Sequence, residues 1–241
     1  MTQPKVRKHR TWLWVVELVL VMLLATAILY VSDYSHATPE ATAVAATATT
    51  LDNGTLAFGN PDAANGIIFY PGGKVEYTAY APLMQALSQK GFLCLLVKMP
   101  FNLAVLDTGA ANGLPALYPN ISHWYMAGHS LGGSMAALYI SDHHDLFDGL
   151  ILLAAYSTAD LRQKNLKVLT MYGSQDTVLS ADRLTQYRDN LPTDAQTVVI
   201  EGGCHAYFGD YGVQKGDGVP TITREQQVEK TVEAIVAFAG V

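Results

Sequence analysis

Short runs of apolar residues alternate along this chain with stretches of helical periodicity, and this alternation constrains the fold more than any other feature. The runs are continuous rather than alternating in polarity, which is typical of strands buried on both faces of a parallel sheet. Six such runs occur, at residues 66–71, 92–99, 123–128, 149–156, 167–173 and 196–202. Strands that alternate with helices over short connections predict an α/β fold with a mostly parallel sheet.

Three of the intervening segments carry apolar residues at spacings of three and four, as one face of a helix requires. They lie at residues 80–87, 131–139 and 228–239. Thr223 and Gln226 have the spacing of a capping box at the start of the last helix, and Gly240 predicts its end.

Composition excludes several classes of protein. Half of the residues are hydrophobic and 15% are charged, which is unlike a disordered chain. The formal net charge of −6 disfavours a nucleic-acid partner, because phosphate binding needs clustered Lys and Arg. The two cysteines, Cys94 and Cys204, are too few for a disulfide scaffold and lack a zinc-site spacing. We predict neither a cofactor nor a metal.

The N-terminus combines a basic tail with a long apolar stretch. Residues 1–10 contain four Lys and Arg residues and no acid, and residues 11–31 form a mainly apolar stretch in which Glu17 is the single charge. A helix of this length crosses roughly 30 Å of hydrocarbon, and Trp12 and Trp14 lie where an interfacial aromatic belt belongs. The positive-inside rule predicts a cytoplasmic tail, a single transmembrane anchor and an extracellular remainder at the cell membrane.

Two alternatives to an anchor remain open at this stage. Ala25-Thr26-Ala27 has the small residues of a signal-peptide cleavage site, which would release a secreted protein, and the segment also resembles a buried core helix. Residues 32–50 are rich in Ala and Thr without an amphipathic period, so we expect a spacer that lifts the next domain off the bilayer. That domain is predicted over residues 51–241.

Gly128-His129-Ser130-Leu131-Gly132 is a G-x-S-x-G motif in the context that gives the motif meaning. It follows a predicted strand and opens a predicted helix. A serine on so tight a turn needs glycines nearby, because strand and helix approach without room for a Cβ atom. The helix N-terminus then faces an oxyanion formed by attack of the serine. The pattern indicates Ser130 as a nucleophile.

This motif, with Gly133 after it, resembles the nucleophile elbow of α/β-hydrolase lipases and esterases, and the resemblance covers roughly residues 51–241. It implies the α/β-hydrolase fold, a mostly parallel central sheet flanked by helices, and a chain order of serine, acid, histidine. Asp176 follows the run at 167–173 and resembles the family's Gly-x-x-Asp turn. His205 follows the last run, where the family has its histidine.

Other acids fit the resemblance less well than Asp176. Three of them follow Ser130 too closely, and Asp160 has no strong strand before it. The three are Asp142, Asp145 and Asp148. Together Ser130, Asp176 and His205 predict a triad in which the imidazole takes the serine proton and the carboxylate fixes its tautomer.

The resemblance also implies an oxyanion hole of two backbone N–H groups. Leu131 supplies the first, and the second comes from the segment that contains Pro71, Gly73 and Lys74. Pro71 stands where the family usually has histidine, but the donor is a main-chain group. We favour Gly73, with Lys74 as the alternative.

Only residues 157–166 separate two of the predicted strands, which leaves no room for a lid domain. The chain therefore resembles small lidless bacterial hydrolases of the α/β-hydrolase fold-five group. We expect a serine hydrolase of the carboxylesterase or lipase type, class EC 3.1.1, that cleaves small-molecule or envelope esters through an acyl-enzyme at the outer membrane surface. An acyltransferase with the same triad and a non-catalytic binding module on this fold are the alternatives.

Overall fold

The structure is a computed structural model that describes residues 8–241 of the chain. Residues 1–7 of the predicted basic tail lie outside the described residues. The chain divides after Tyr34 into two compact units, which are described separately.

The first unit contains one long helix, α1 (Lys8–Ser32). Within α1 the segment Trp12–Ser32 is long and apolar enough to cross a membrane, and none of it is buried in a protein interior. Length and composition fit a membrane anchor and a signal sequence alike.

The second unit, Ser35–Val241, is built on one sheet of eight strands. The strands are β1 (Thr49–Thr50), β2 (Leu56–Phe58), β3 (Asn65–Tyr70), β4 (Phe92–Leu96), β5 (His123–His129), β6 (Gly149–Leu153), β7 (Lys167–Gly173) and β8 (Gln196–Ile200). Their order across the sheet is β1-β2-β4-β3-β5-β6-β7-β8. The helices are α2 (Pro39–Ala45), α3 (Ala81–Ser88), α4 (Leu131–His143), α5 (Ala181–Arg188) and α6 (Arg224–Ala239).

The six strands from β3 to β8 are mutually parallel, and helices cover both faces of the sheet. Ile67 and Phe69 of β3 belong to the core under α3 and α6, while Ile68 and Tyr70 belong to the core under α4. Successive side chains of a strand point to opposite faces, so burial on both faces produces the continuous apolar runs. The predicted α/β fold and its parallel sheet are confirmed.

The stretch predicted as a spacer differs from that prediction from Ser35 onward. Ser35 forms a bridge to Val75, with its N–H donating to Lys74 O and its carbonyl accepting from Glu76 N–H. Helix α2 follows, and its small side chains Ala41 and Ala45 are buried. The sequence pattern does not reveal this packing, because two alanines four residues apart bury little apolar surface and produce only a weak helical periodicity.

Three other elements were not predicted from the sequence: two short strands and one helix. The antiparallel strands β1 and β2 at the sheet edge have two and three residues, too few for a recognisable period. Helix α5 contains no buried residue, so it has no apolar stripe to detect.

Residues 154–166 connect β6 to β7 without a helix or strand in this described part of the chain, so no lid domain is inserted there. The carboxyl ends of β5, β7 and β8 carry the loops that hold the three candidate triad residues. Ligands of open α/β sheets bind at this edge.

Candidate active site

Ser130 occupies a strained turn between β5 and α4. Its φ is 52° and its ψ is −123°, a conformation that L-residues rarely adopt. A Cβ atom on Gly128 would lie 2.7 Å from the Gly132 carbonyl carbon, and one on Gly132 would lie 2.1 Å from Pro71 O. Both glycines are therefore required by the close approach of strand, helix and the loop after β3.

Asp176 and His205 are brought together from the loops after β7 and β8. His205 Nδ1 lies 2.8 Å from Asp176 Oδ2, and the two side chains are 2% and 1% exposed. The other carboxylate oxygen accepts the N–H groups of Val178 at 2.9 Å and Leu179 at 2.8 Å. An ionised carboxylate only accepts hydrogen bonds, so Nδ1 carries the proton and Nε2 of His205 has a free lone pair.

Ser130 and His205 line one cleft of about 390 Å³. The Ser130 hydroxyl makes no hydrogen bond to another residue in the described part of the chain. Hydrogen bonds of catalytic groups are often long in unliganded proteins and shorten when substrate binds. The structure therefore places Ser130 and His205, the predicted nucleophile and base, at the same opening.

The backbone N–H groups around the candidate oxyanion hole differ in their partners. Gly72 N–H donates to Tyr80 Oη at 3.1 Å, and Lys74 N–H donates to Asn102 O at 2.8 Å. Among the described residues the N–H groups of Gly73 and Leu131 have no acceptor. The two residues are in contact, because a Cβ atom on Gly73 would lie 2.7 Å from Leu131 Cδ2.

His129, directly before Ser130, is buried beside the candidate triad. Its Nδ1 lies 2.8 Å from Tyr80 Oη, and its ring centroid lies 4.6 Å from that of His205. Burial, and then the neighbouring His205, lower the pKa of His129 well below its usual range, so the ring is neutral. His129 Nε2 has no hydrogen-bond partner among the described residues.

The backbone on either side of His205 is held by two side chains that the sequence analysis did not identify. Gln227 of α6 accepts the Cys204 N–H at 2.9 Å and donates to the Cys204 carbonyl at 2.8 Å. Asp217 accepts the N–H groups of His205 at 3.2 Å and Ala206 at 2.9 Å. Gln227 is fully buried. Its position on the otherwise apolar face of the last helix is the sequence feature that could have identified it.

Two of the carboxylates that competed with Asp176, Asp160 and Asp148, are engaged elsewhere. Asp160 is exposed and pairs with Arg162 at 2.6 Å, and Arg162 lowers the pKa of that carboxyl to about 2. Asp148 lies 3.2 Å from His123 Nδ1. No group of three or more His, Cys, Asp or Glu residues suited to hold a metal occurs between residues 8 and 241.

Neither cysteine has the properties of a nucleophile. Cys94 and Cys204 are both buried free thiols. Burial raises the pKa of Cys204 to about 12 and that of Cys94 still further, so both remain protonated near neutral pH.

Several proteins of known structure have a fold similar to that of this chain. Est1E from Butyrivibrio proteoclasticus is 14% identical with a TM-score of 0.57, and the match covers 78% of this chain and 94% of that chain. A monoacylglycerol lipase from Paleococcus ferrophilus is 14% identical with a TM-score of 0.56, over 76% and 98% of the two chains. A membrane phospholipase A, described as a bacterial virulence factor, is 14% identical with a TM-score of 0.58, over 94% and 97%.

At these identities the solved structures show a shared fold alone. Among curated proteins, none matches the chain in sequence. A family model described as the alpha/beta hydrolase family matches residues 66–229, which is more than half of the chain. The fold built on the eight-stranded sheet agrees with this match, since esterases and lipases of known structure have a similar fold. This protein therefore belongs to the alpha/beta hydrolase family and is a hydrolase.

Proposed function

We propose that this protein hydrolyses carboxylic esters with Ser130 as nucleophile, His205 as general base and acid, and Asp176 as the group that orients His205. One observation carries the proposal. The buried His205–Asp176 pair, 2.8 Å apart, lines the same cleft as a serine in a strained strand-to-helix turn. Serine is a poor nucleophile at its ordinary pKa, so it needs a base at this position.

The first half of the reaction forms an acyl-enzyme. Ser130 Oγ attacks the ester carbonyl carbon while its proton passes to Nε2 of His205. The carbonyl π electrons move onto oxygen, and the resulting oxyanion accepts the N–H groups of Gly73 and Leu131. As the C–O bond to the leaving group breaks, His205 returns the proton to the departing alcohol.

The second half releases the acid. Water attacks the acyl-enzyme carbonyl and transfers a proton to His205. The tetrahedral intermediate then collapses, the bond from carbon to Ser130 Oγ breaks, and His205 returns the proton to Ser130 Oγ. Asp176 orients the imidazole and stabilises the imidazolium that forms beside it, while its other oxygen is held by the N–H groups of Val178 and Leu179.

The assignment of Gly73 as the second oxyanion donor is supported by exclusion of its neighbours. Gly72 N–H is bound by Tyr80 Oη and Lys74 N–H by Asn102 O. Gly73 lies between them with its N–H unbonded among the described residues and its Cα against Leu131. An unbonded donor stabilises the oxyanion without first breaking another hydrogen bond.

The location we propose is the outer face of the cell membrane. The support is the apolar span Trp12–Ser32 and the basic residues that precede it. In one form of the proposal α1 remains as an anchor, and in the other it is cleaved near Ala25–Ala27 and the domain is secreted.

An active-site-directed fluorophosphonate tests the nucleophile directly. The wild-type chain should be labelled at Ser130, and Ser130→Ala should not be labelled or hydrolyse p-nitrophenyl acetate. Ser141→Ala is the matched control, because Ser141 lies on the same helix and its hydroxyl bonds only Leu138 O. Full turnover by a folded Ser130→Ala protein would overturn the proposal.

A further inference from the structure

A second cavity of about 190 Å³ lies beside the cleft that contains Ser130. Strands β7 and β8 form one side of it and helix α5 forms the other. Ala155 and Tyr156, which follow β6, line both spaces. The two spaces are therefore neighbours, separated by this short segment of chain.

Tyr156 has contacts on the side of each space. Its hydroxyl accepts a hydrogen bond from Arg183 Nη1 at 3.3 Å, and Arg183 lines the cleft. The ring itself stacks on Tyr187, with centroids 5.0 Å apart and planes 11° apart, and Tyr187 lines the second cavity. Ser134 Oγ fixes the segment by donating to the Tyr156 carbonyl at 2.9 Å.

The second cavity suits hydrocarbon better than a polar group. Leu184 and Leu191 contribute to its lining, and Arg188 donates to Thr197 Oγ1 at 3.3 Å instead of pointing an unpaired charge inward. Thr170 Oγ1 is buried there without a hydrogen-bond partner among the described residues. The lining thus combines leucine and aromatic side chains with scattered hydroxyl groups. Among the described residues that line it, the one charged side chain is Arg188, and Thr197 already engages it, so a charged ligand finds no free partner there.

The geometry of the tetrahedral intermediate directs the acyl chain toward Tyr156. Three of the four groups on the reacting carbon have assigned places: the Ser130 oxygen, the oxyanion on the side of β3 at Gly73, and the leaving oxygen near His205. Strand β6 lies on the opposite side of β5 from β3. The fourth group, the acyl chain, therefore extends toward the β6 side of the cleft, where Tyr156 lies.

We infer that Tyr156 sets the upper limit of acyl length, so that the protein hydrolyses short-chain esters such as acetates and butyrates. The inference rests on the proposed ester hydrolysis and specifies the length of the acyl group in the substrate. Loss of the ring joins the cleft to the second cavity, which has room for roughly six groups of the size of water. Hexanoyl and octanoyl chains then gain apolar surface to bury.

The test compares kcat/KM over p-nitrophenyl esters from acetyl to octanoyl in three variants of the full chain. Each additional buried methylene contributes about 0.8 kcal/mol, close to fourfold. Tyr156→Ala should therefore raise the octanoyl-to-acetyl ratio at least about tenfold over wild type. Tyr156→Phe keeps the ring and should keep the wild-type ratio. Adding Thr170→Met to Tyr156→Ala should refill the second cavity and reverse the gain.

Titration of Ser130 with the fluorophosphonate gives the active fraction of each variant, so that turnover refers to folded sites. An unchanged ratio in active Tyr156→Ala protein would overturn the role of Tyr156, as would an equal shift in Tyr156→Phe. Wild-type protein that turned over no ester of any length would instead contradict the proposed ester hydrolysis.

Discussion

Tyr80 Oη lies 2.8 Å from His129 Nδ1 and at the same time accepts the N–H of Gly72 at 3.1 Å. All three residues are buried. Because the pKa of His129 is lowered, its ring is neutral, and the Tyr80 hydroxyl is placed to donate to Nδ1. One side chain thus ties the loop after β3 to the residue before Ser130, and the two candidate oxyanion donors belong to these two segments.

Tyr80→Phe should therefore reduce kcat more than it raises KM. The change removes only the hydroxyl, which frees the Gly72 N–H and loosens the loop that carries Gly73. We expect kcat to fall about 10- to 100-fold, less than the roughly 10²- to 10³-fold loss that follows removal of a donor itself. Tyr125→Phe is the control, because it removes the hydroxyl of a buried tyrosine that bonds Ala239 O.

A trifluoromethyl ketone separates this effect from general destabilisation. Its hemiketal oxyanion occupies the oxyanion hole, so its inhibition constant should rise in Tyr80→Phe by the same factor as kcat/KM falls. An inhibition constant equal to that of wild type, together with reduced turnover, would show that Tyr80 acts elsewhere.

The buried His129 should make the domain less stable in mild acid. The pKa of His129 is lowered in the folded state, so below about 6.5 the unfolded chain binds a proton that the folded chain does not. Its contribution to stability is present above that pH and is lost as the pH falls toward the folded pKa, by up to about 1.4 kcal/mol per pH unit.

His129→Gln should remove this share of the pH dependence, since the amide does not titrate. Thermal unfolding midpoints measured between about pH 7.5 and 5 should fall less steeply in the variant than in wild type. The comparison with wild type is needed because every titratable group of the chain adds to the pH dependence of stability, and the substitution removes only one of them. Parallel slopes in the two proteins would contradict a buried neutral His129.

Asp176→Asn should lower kcat by about 10⁴-fold, whereas His205→Ala should lower it by about 10⁶-fold. The amide still fills the space of the carboxylate but no longer favours the Nδ1–H tautomer or the imidazolium. Asp160→Asn is the matched control, because Asp160 is an exposed carboxylate paired with Arg162. Stopped-flow and steady-state rates on an activated ester provide the measurement, and equal activity of the two Asn variants would refute the acid assignment.

Gln227→Leu should destabilise the domain by at least about 2 kcal/mol. The substitution keeps the size of the side chain but leaves the N–H and carbonyl of Cys204 without partners, and each buried unpaired group costs about 1–3 kcal/mol. Because His205 follows Cys204, kcat should fall as well. Gln186→Leu on exposed α5 should change the unfolding free energy by less than about 0.5 kcal/mol.

Protease added to intact cells should digest the domain if it lies outside the membrane. The basic residues before the apolar span Trp12–Ser32 motivate this expectation through the positive-inside rule. The mass of the remaining or released chain distinguishes an anchor from a signal peptide cleaved near Ala25–Ala27. Protection of the domain until the cells are lysed would exclude an extracellular location.

The sequence by itself determined the sheet, the main helices and the context of Ser130. The runs that became β3 to β8 are apolar because both faces of a parallel sheet are buried, and that requirement is written into consecutive residues. The elbow is local in part: a Cβ atom on Gly128 would meet the backbone of Gly132 in the same turn, whereas one on Gly132 would meet Pro71 in the loop after β3. The capping box at Thr223 and Gln226 is confirmed for the same reason.

Only the tertiary structure decided which groups meet across the sheet edge. Whether Gly73 or Lys74 has an unbonded N–H depends on Tyr80 and Asn102, which belong to other segments of the chain. Three further features likewise depend on residues distant in sequence. They are the packing of α2, the hydrogen bonds between Gln227 and Cys204, and the position of Tyr156 beside two cavities. Hydrogen bonds and close contacts are short-ranged, so they are fixed by where folding places the partners, and no local pattern of residue types records that placement.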